Sequence, residues 1–142
     1  MATDFSEGAR VAREQAVTFA KMSGARVTLL HIDELPAWGY LGSEALVTPD
    51  IMASVAARTE EQLALEKKEL TSAGVVADSA HGEGPPYLAI VRFAREGHYD
   101  LIVLGTHGRT GLQHLLVGST AERVVRTATC PVLTVRGPEA AR

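Results

Sequence analysis

Apolar positions along the chain fall into two rhythms, and the rhythms alternate. Ala9, Ala12, Ala16, Phe19 and Ala20 recur at helical spacing, with Ser6 as an N-cap, Lys21 in the last turn and Gly24 as the stop. The run Arg26–Ile32 (RVTLLHI) then reads as a buried strand bounded by Asp33 and Glu34. Residues 33–48 form a long loop carrying Pro36, Trp38, Gly39, Tyr40 and Gly42, whose aromatics read as packing rather than as a ligand cap. Thr48-Pro49-Asp50 opens a second helix, with a hydroxyl cap, proline at the first position and an acid in the first turn. It should run to about Ser72, before Gly74, with Met52, Val55, Ala56, Leu63 and Leu70 inward and its many charged residues solvated.

Val75–Ala80 is a weaker strand, Gly82–Pro86 a turn, and Leu88, Ile90, Val91, Phe93 and Ala94 mark a third helix ending at Gly97. Leu101–Leu104 is apolar without alternation, as expected of a parallel strand covered on both faces. A fourth helix spans about Gly118 to Thr127, a last strand Val132–Val135 follows Pro131, and Gly137–Arg142 reads as a frayed tail. The order α-β-α-β-α-β-α-β predicts a single α/β domain, residues 1–142, in which a doubly wound parallel sheet lies between two helical layers. In such sheets ligands bind at the carboxyl ends of strands, here Ile32-Asp33, Gly105 with its loop, and Asp4 if a strand precedes it.

The chemistry gathers in Asp100–Thr120, DLIVLGTHGRTGLQHLLVGST. The strand stops at Gly105, further glycines stand at 108, 111 and 118, and Ser119 and Thr120 open the next helix. Glycines let backbone N–H groups approach an anion, and a helix start adds unpaired donors and a favourable dipole. Glycines that merely permit a tight crossover are the plainer reading, and strand, loop and hydroxylated helix start together outweigh it. A P-loop is disfavoured because the loop has no lysine and no G-x-x-x-x-G-K-[ST]; a dinucleotide fingerprint does not fit because G-x-G-x-x-G is absent and the glycines follow a late strand.

Composition narrows the classes further. Hydrophobic residues make up 46% and charged residues 22%, which is ordinary for a globular domain. No apolar run approaches a membrane span and no secretory signal is visible, so a cytoplasmic location is expected. The single cysteine, Cys130, excludes an internal disulfide and reads as packing. Net charge is −3, but residues 101–142 carry 5 basic and 2 acidic groups while residues 1–100 carry 9 and 15. That distribution favours a small anionic ligand over nucleic acid, since no Lys/Arg stripe tracks a phosphate backbone. His31, His81, His98 and His114 lack zinc spacing and read as structural or solvated.

The spacing G-x-x-G-x9-G-S, met by Gly105, Gly108, Gly118 and Ser119, resembles the nucleotide motif of the ATP-binding branch of the universal stress protein family. The likeness covers essentially the whole chain: Thr3-Asp4-Phe5-Ser6, Leu30-His31-Ile32, Ile102 to Gly108, and Cys130-Pro131-Val132-Leu133. The resemblance implies that Asp4, with Thr3 beside it, and Ile32 contact adenosine. It implies too that Gly105, Thr106, His107, Gly108, Arg109, Gly118, Ser119 and Thr120 hold ribose and phosphates of ATP, with Mg²⁺ or Mn²⁺ on the phosphates.

Each role has a physical counterpart. Asp4 would accept from an amine or hydroxyl, Ile32 and Leu104 would offer apolar surface to a purine, and Gly108, Gly118 and Ser119 would donate to phosphate. Arg109 would add charge and His107 stands beside the phosphates. Taken alone, Asp4 reads almost equally as a helix-initiating acid and Ile32 as plain core.

Family members begin with an apolar strand at the centre of the sheet, whereas here only Met1-Ala2-Thr3 precede Asp4, so this N-terminal strand reads as truncated. The expectation is that its two neighbours lose ladder partners, at about 1–3 kcal/mol per buried unpaired group, and that a chain extended upstream melts higher and binds better. No general base with an orienting partner stands near the loop, so no catalytic residue is assigned. The resulting expectation is an ATP-binding regulator or switch in stress response. Two alternatives stay open: a partner-binding module without nucleotide, and a slow ATPase or a protein phosphorylating itself on Ser119 or Thr120. The short last strand Val132–Val135 is an open edge, and the resemblance implies a homodimer through it.

Overall fold

Helix and strand alternate as expected through the described residues, 1–33, 49–106 and 118–137 of a computed structural model. The elements are α1 (Glu7–Ser23), β1 (Val27–Asp33), α2 (Pro49–Ser72), β2 (Ala77–Glu83), α3 (Pro86–Glu96), β3 (Ile102–Gly105), α4 (Ser119–Thr127) and β4 (Val132–Val135). α1 has the predicted caps: Ser6 Oγ accepts from the Ala9 amide, and Gly24 ends the helix in the left-handed conformation at φ 69°.

Two parallel pairs make the sheet. β1 runs beside β2 from Val27↔Ala77 to Asp33↔Glu83, and β3 runs beside β4 from Ile102↔Val132 to Gly105↔Val135. Met1–Thr3 lie between the pairs. Ala2 bridges Leu30 in parallel, the Leu30 amide donates to Met1 O and the Thr3 amide to Leu30 O at 2.9 Å each, and the Ala2 amide donates to Val103 O at 2.9 Å. Three residues therefore occupy the centre of the sheet and join its halves. Beside them the seam borders a small open cleft of about 20 Å³ lined by Met1, Thr28, Tyr99 and Leu101.

The pleat sends alternate residues into two cores. Val27 and Leu29 pack with Ala20, Leu63 and Leu70 under α1 and α2. Leu30, Ile102 and Leu104 pack with Ile90, Ala94, Ala121 and Val124 under α3 and α4. Val103 meets Ala12 and Ala16 of α1, a helix face of small residues that brings α1 close to β3. Arg13 of α1 pairs with Glu66 and Glu69 of α2, fastening the two helices of that layer.

Several expectations need correction. Met52 and Val55 are 43% and 51% exposed rather than inward. α2 is about 36 Å long and the seven-residue strands it covers about 23 Å, so its first turns overhang the β1–β2 pair and only Thr59, Leu63 and Leu70 are buried. Leu88 is exposed on α3, where Ala89, Ile90 and Ala94 face the core. β2 starts and ends later than the apolar pattern indicated, because pairing with β1 holds the polar stretch Gly82-Glu83 in the ladder. Among the described residues no helix is long and apolar enough to cross a membrane.

Candidate functional site

Five chain segments end together at the carboxyl edge of the sheet: Thr3-Asp4, Ile32-Asp33, Gly82-Glu83, Gly105-Thr106 and Val135. Parallel pairing forces this, since every strand runs the same way and the preceding loops are left at the opposite edge.

The Thr3–Ser6 turn is fixed by its own side chains. Thr3 Oγ1 accepts from the Phe5 amide at 3.1 Å, Asp4 Oδ1 accepts from the Ser6 amide at 3.0 Å, and Ser6 Oγ accepts from the Ala9 amide at 3.2 Å. Phe5 sits at φ 63°, unusual for a bulky residue and held by these bonds. Asp4 is thus anchored at the start of α1, beside the strand end that holds Ile32. In that first helical turn, a hydrogen bond from Arg10 holds the Glu7 carboxyl below the usual carboxylate range.

The glycine loop is closed at its base. The Thr106 amide donates to Val135 O at 2.8 Å, and the Gly118 amide donates to Thr106 O at 2.6 Å. Gly118 is the N-cap of α4, with extended backbone at φ −67° and ψ 152° and no side-chain cap. Ser119 is exposed and Thr120 half-buried at the helix start. The first amides of α4 consequently lack the side-chain acceptor that a Ser, Thr or Asp N-cap would supply, an arrangement suited to an anion. His107, Gly108 and Arg109 lie outside the described residues.

Gly105 is placed differently from the rest of its motif. A Cβ there would lie 2.8 Å from both the C and O atoms of Gly8 and 3.2 Å from the Ala9 amide nitrogen. Backbone packing under α1 therefore demands glycine at this position without reference to a ligand. Leu104, at 4% exposure, is core against α4, and Ile32 is half-buried on the same sheet face.

Three residues at this edge carry a network that sequence reading passed over. His31 is buried, its Nδ1 lies 2.8 Å from Thr3 O, and its Nε2 lies 3.4 Å from Asp33 Oδ1. Thr59 of α2 donates to Asp33 Oδ1 at 3.3 Å. The available signal was a histidine on the inward side of an apolar strand, one residue before the predicted purine contact. Among the described residues no group of three or more His, Cys, Asp and Glu side chains gathers to hold a metal.

The family model of the universal stress proteins matches residues 1–136. This chain belongs to the universal stress protein family. Universal stress protein MJ0531 of Methanocaldococcus jannaschii is 37% identical over 139 residues, covering 96% of this chain and 80% of that protein. The solved structure of MJ0577, from the same organism, has a TM-score of 0.84 at 28% identity and covers 98% of this chain and 94% of its own. A universal stress protein solved in complex with cAMP shares the fold, with a TM-score of 0.73 at 23% identity over 97% of this chain and 95% of that one.

Proposed function

We propose that this universal stress protein binds an adenine nucleotide, ATP foremost, at the carboxyl edge of its sheet and acts as a nucleotide-dependent switch in stress response. The observation that carries the reading is the base of the loop: Gly118 is tied to Thr106 O and opens α4 without a side-chain cap. Phosphate oxygens would accept from Gly118, Ser119 and Thr120, with Gly108, His107 and Arg109 adding contacts from the loop. Asp4 and Thr3 would face the adenosine, and Ile32 would supply apolar surface. Mg²⁺ or Mn²⁺ would accompany the phosphates, held by their oxygens and water. The relative in complex with cAMP shows what that protein holds; the reading for this chain rests on its own loop base and the uncapped start of α4.

Calorimetry with ATP and Mg²⁺ on wild type and on Gly118→Val tests it. Binding is expected in the wild type and should be lost in the variant, whose branched side chain crowds the phosphates. Absence of heat in both proteins overturns the reading.

A second reading has one observation in its favour. Gly105 is explained by packing against Gly8, so part of the motif exists for the fold, as a partner-binding module without nucleotide would require. That module predicts no heat with ATP and an unchanged fold in Gly118→Val. The homodimer is proposed through β4, whose four residues are all half-buried at the end of the sheet. Light scattering at the dimer mass supports it and a 15.1 kDa species overturns it.

A further inference from the structure

We infer that His31 is a positioning residue for the adenosine half of the proposed site, coupling the Asp4 turn to the Asp33 carboxylate. The inference rests on the nucleotide reading above and adds to it a residue outside the glycine motif. Thr3 O is a carbonyl and can only accept, so the 2.8 Å contact fixes the proton on His31 Nδ1. The other ring nitrogen lies 3.4 Å from Asp33 Oδ1, an oxygen that accepts from the Thr59 hydroxyl. One ring therefore spans the gap between the turn that presents Asp4 and the strand end that presents Ile32.

The same ring supports the strained residue of the turn. Phe5 stacks on His31 with ring centroids 4.4 Å apart and an interplanar angle of 28°. Phe5 is the left-handed residue between Asp4 and Ser6, whose amide holds the Asp4 carboxylate. A histidine that merely satisfied itself in the core would need a partner for each nitrogen and no ring contact at a strained residue. This one engages both backbone segments bordering the proposed adenosine pocket and leaves the α4 end of the site untouched.

That asymmetry gives the test. Asparagine places its side-chain nitrogen near Nδ1 and keeps the tie to Thr3 O, whereas glutamine reaches the Nε2 position and loses it. Calorimetry with ATP and Mg²⁺, and separately with inorganic tripolyphosphate, is run on wild type, His31→Gln and His31→Asn. His31→Gln should weaken ATP about tenfold, the order expected for one lost buried hydrogen bond and its orphaned partner, and leave tripolyphosphate within about twofold. His31→Asn, which keeps the bond to Thr3 O and loses the stacked ring, should bind ATP with an affinity between those of wild type and His31→Gln.

Amide exchange at Ser6, whose N–H bonds Asp4 Oδ1, should be faster in His31→Gln than in His31→Asn without any nucleotide. Equal ATP affinity in wild type and His31→Gln overturns the inference alone. Parallel weakening of both ligands assigns His31 to general stability and also overturns it. A wild type that does not bind ATP overturns it together with the nucleotide reading. Should His31→Gln fail to fold, Phe5→Leu removes the stacked ring; unchanged ATP affinity in that variant overturns the inference as well.

Discussion

Replacing Gly105 by alanine separates packing from ligand binding at one atom. The added Cβ would stand 2.8 Å from two backbone atoms of Gly8 and 3.2 Å from the Ala9 nitrogen, all in the first turn of α1. Backbone cannot rotate away as a flexible side chain can, so either β3 or the start of α1 must move. α1 cannot move cheaply, because Ala9, Ala12, Ala16 and Ala20 are all buried beneath it. Overpacking of this kind costs about 1–3 kcal/mol. For a chain of this length that corresponds to a melting midpoint lower by about 3–10 °C.

The assay is thermal unfolding followed by circular dichroism, with ATP calorimetry at a temperature where the variant is folded. Gly105→Ala is expected to lose stability and to keep most of its ATP affinity. An unchanged midpoint with ATP binding abolished would refute the packing account and return Gly105 to the ligand.

Arg13→Met should destabilise by about 3 kcal/mol in denaturant titration. It strips the counter-charge from Glu66, whose side chain is 13% exposed and whose Oε2 has no hydrogen-bond partner among the described residues, and adding Glu66→Gln should restore most of the loss. Burial lowers the Met1 α-amino group from 8.0 to about 6, where it donates to Thr28 O at 2.8 Å. The unfolded chain then binds more protons than the native one between those values. Stability from this group is full above pH 8, falls as pH drops through about 6, and amounts to on the order of 3 kcal/mol. The melting midpoint should therefore climb from pH 6 to pH 8, and the climb should disappear in N-acetylated protein; the same climb in both would refute the assignment.

The fold was legible because its signals are local. Ser6 and Gly24 bracket α1, Pro49 opens α2, and Leu101–Leu104 reads as a strand covered on both faces, each through one mechanism acting within a few residues. What sequence missed is set at long range. β2 extends through Gly82 and Glu83 because β1 offers a partner as far as Asp33. Met52 and Val55 look inward by period, but whether a helical stripe is covered depends on the length of the sheet beneath it, which period does not encode. At the site, Gly105 and Gly118 carry the same letter and have different reasons for it: one meets the backbone of Gly8, the other caps α4. His31 was passed over because its hydrogen-bond partner Thr3 lies 28 residues away.

The proposed adenosine end of the site hangs from the narrowest part of the sheet. Met1–Thr3 meet β1 through Leu30 and Thr28 and meet β3 through the bond from the Ala2 amide to Val103 O. Three residues give only a few ladder bonds, each worth about 1 kcal/mol net, so this seam should open before either two-stranded half does. Thr3 belongs both to the seam and to the turn that aims Asp4, through its amide on one side and its carbonyl and hydroxyl on the other. A ligand gripping Asp4 and α4 together would hold the two halves of the sheet across that seam, and the stabilisation would follow from linkage alone. Amide exchange at Ala2 and Thr3 should therefore slow on adding ATP more than exchange within the β1–β2 pair. Equal protection of both regions would show that the nucleotide, if bound, does not bridge the seam.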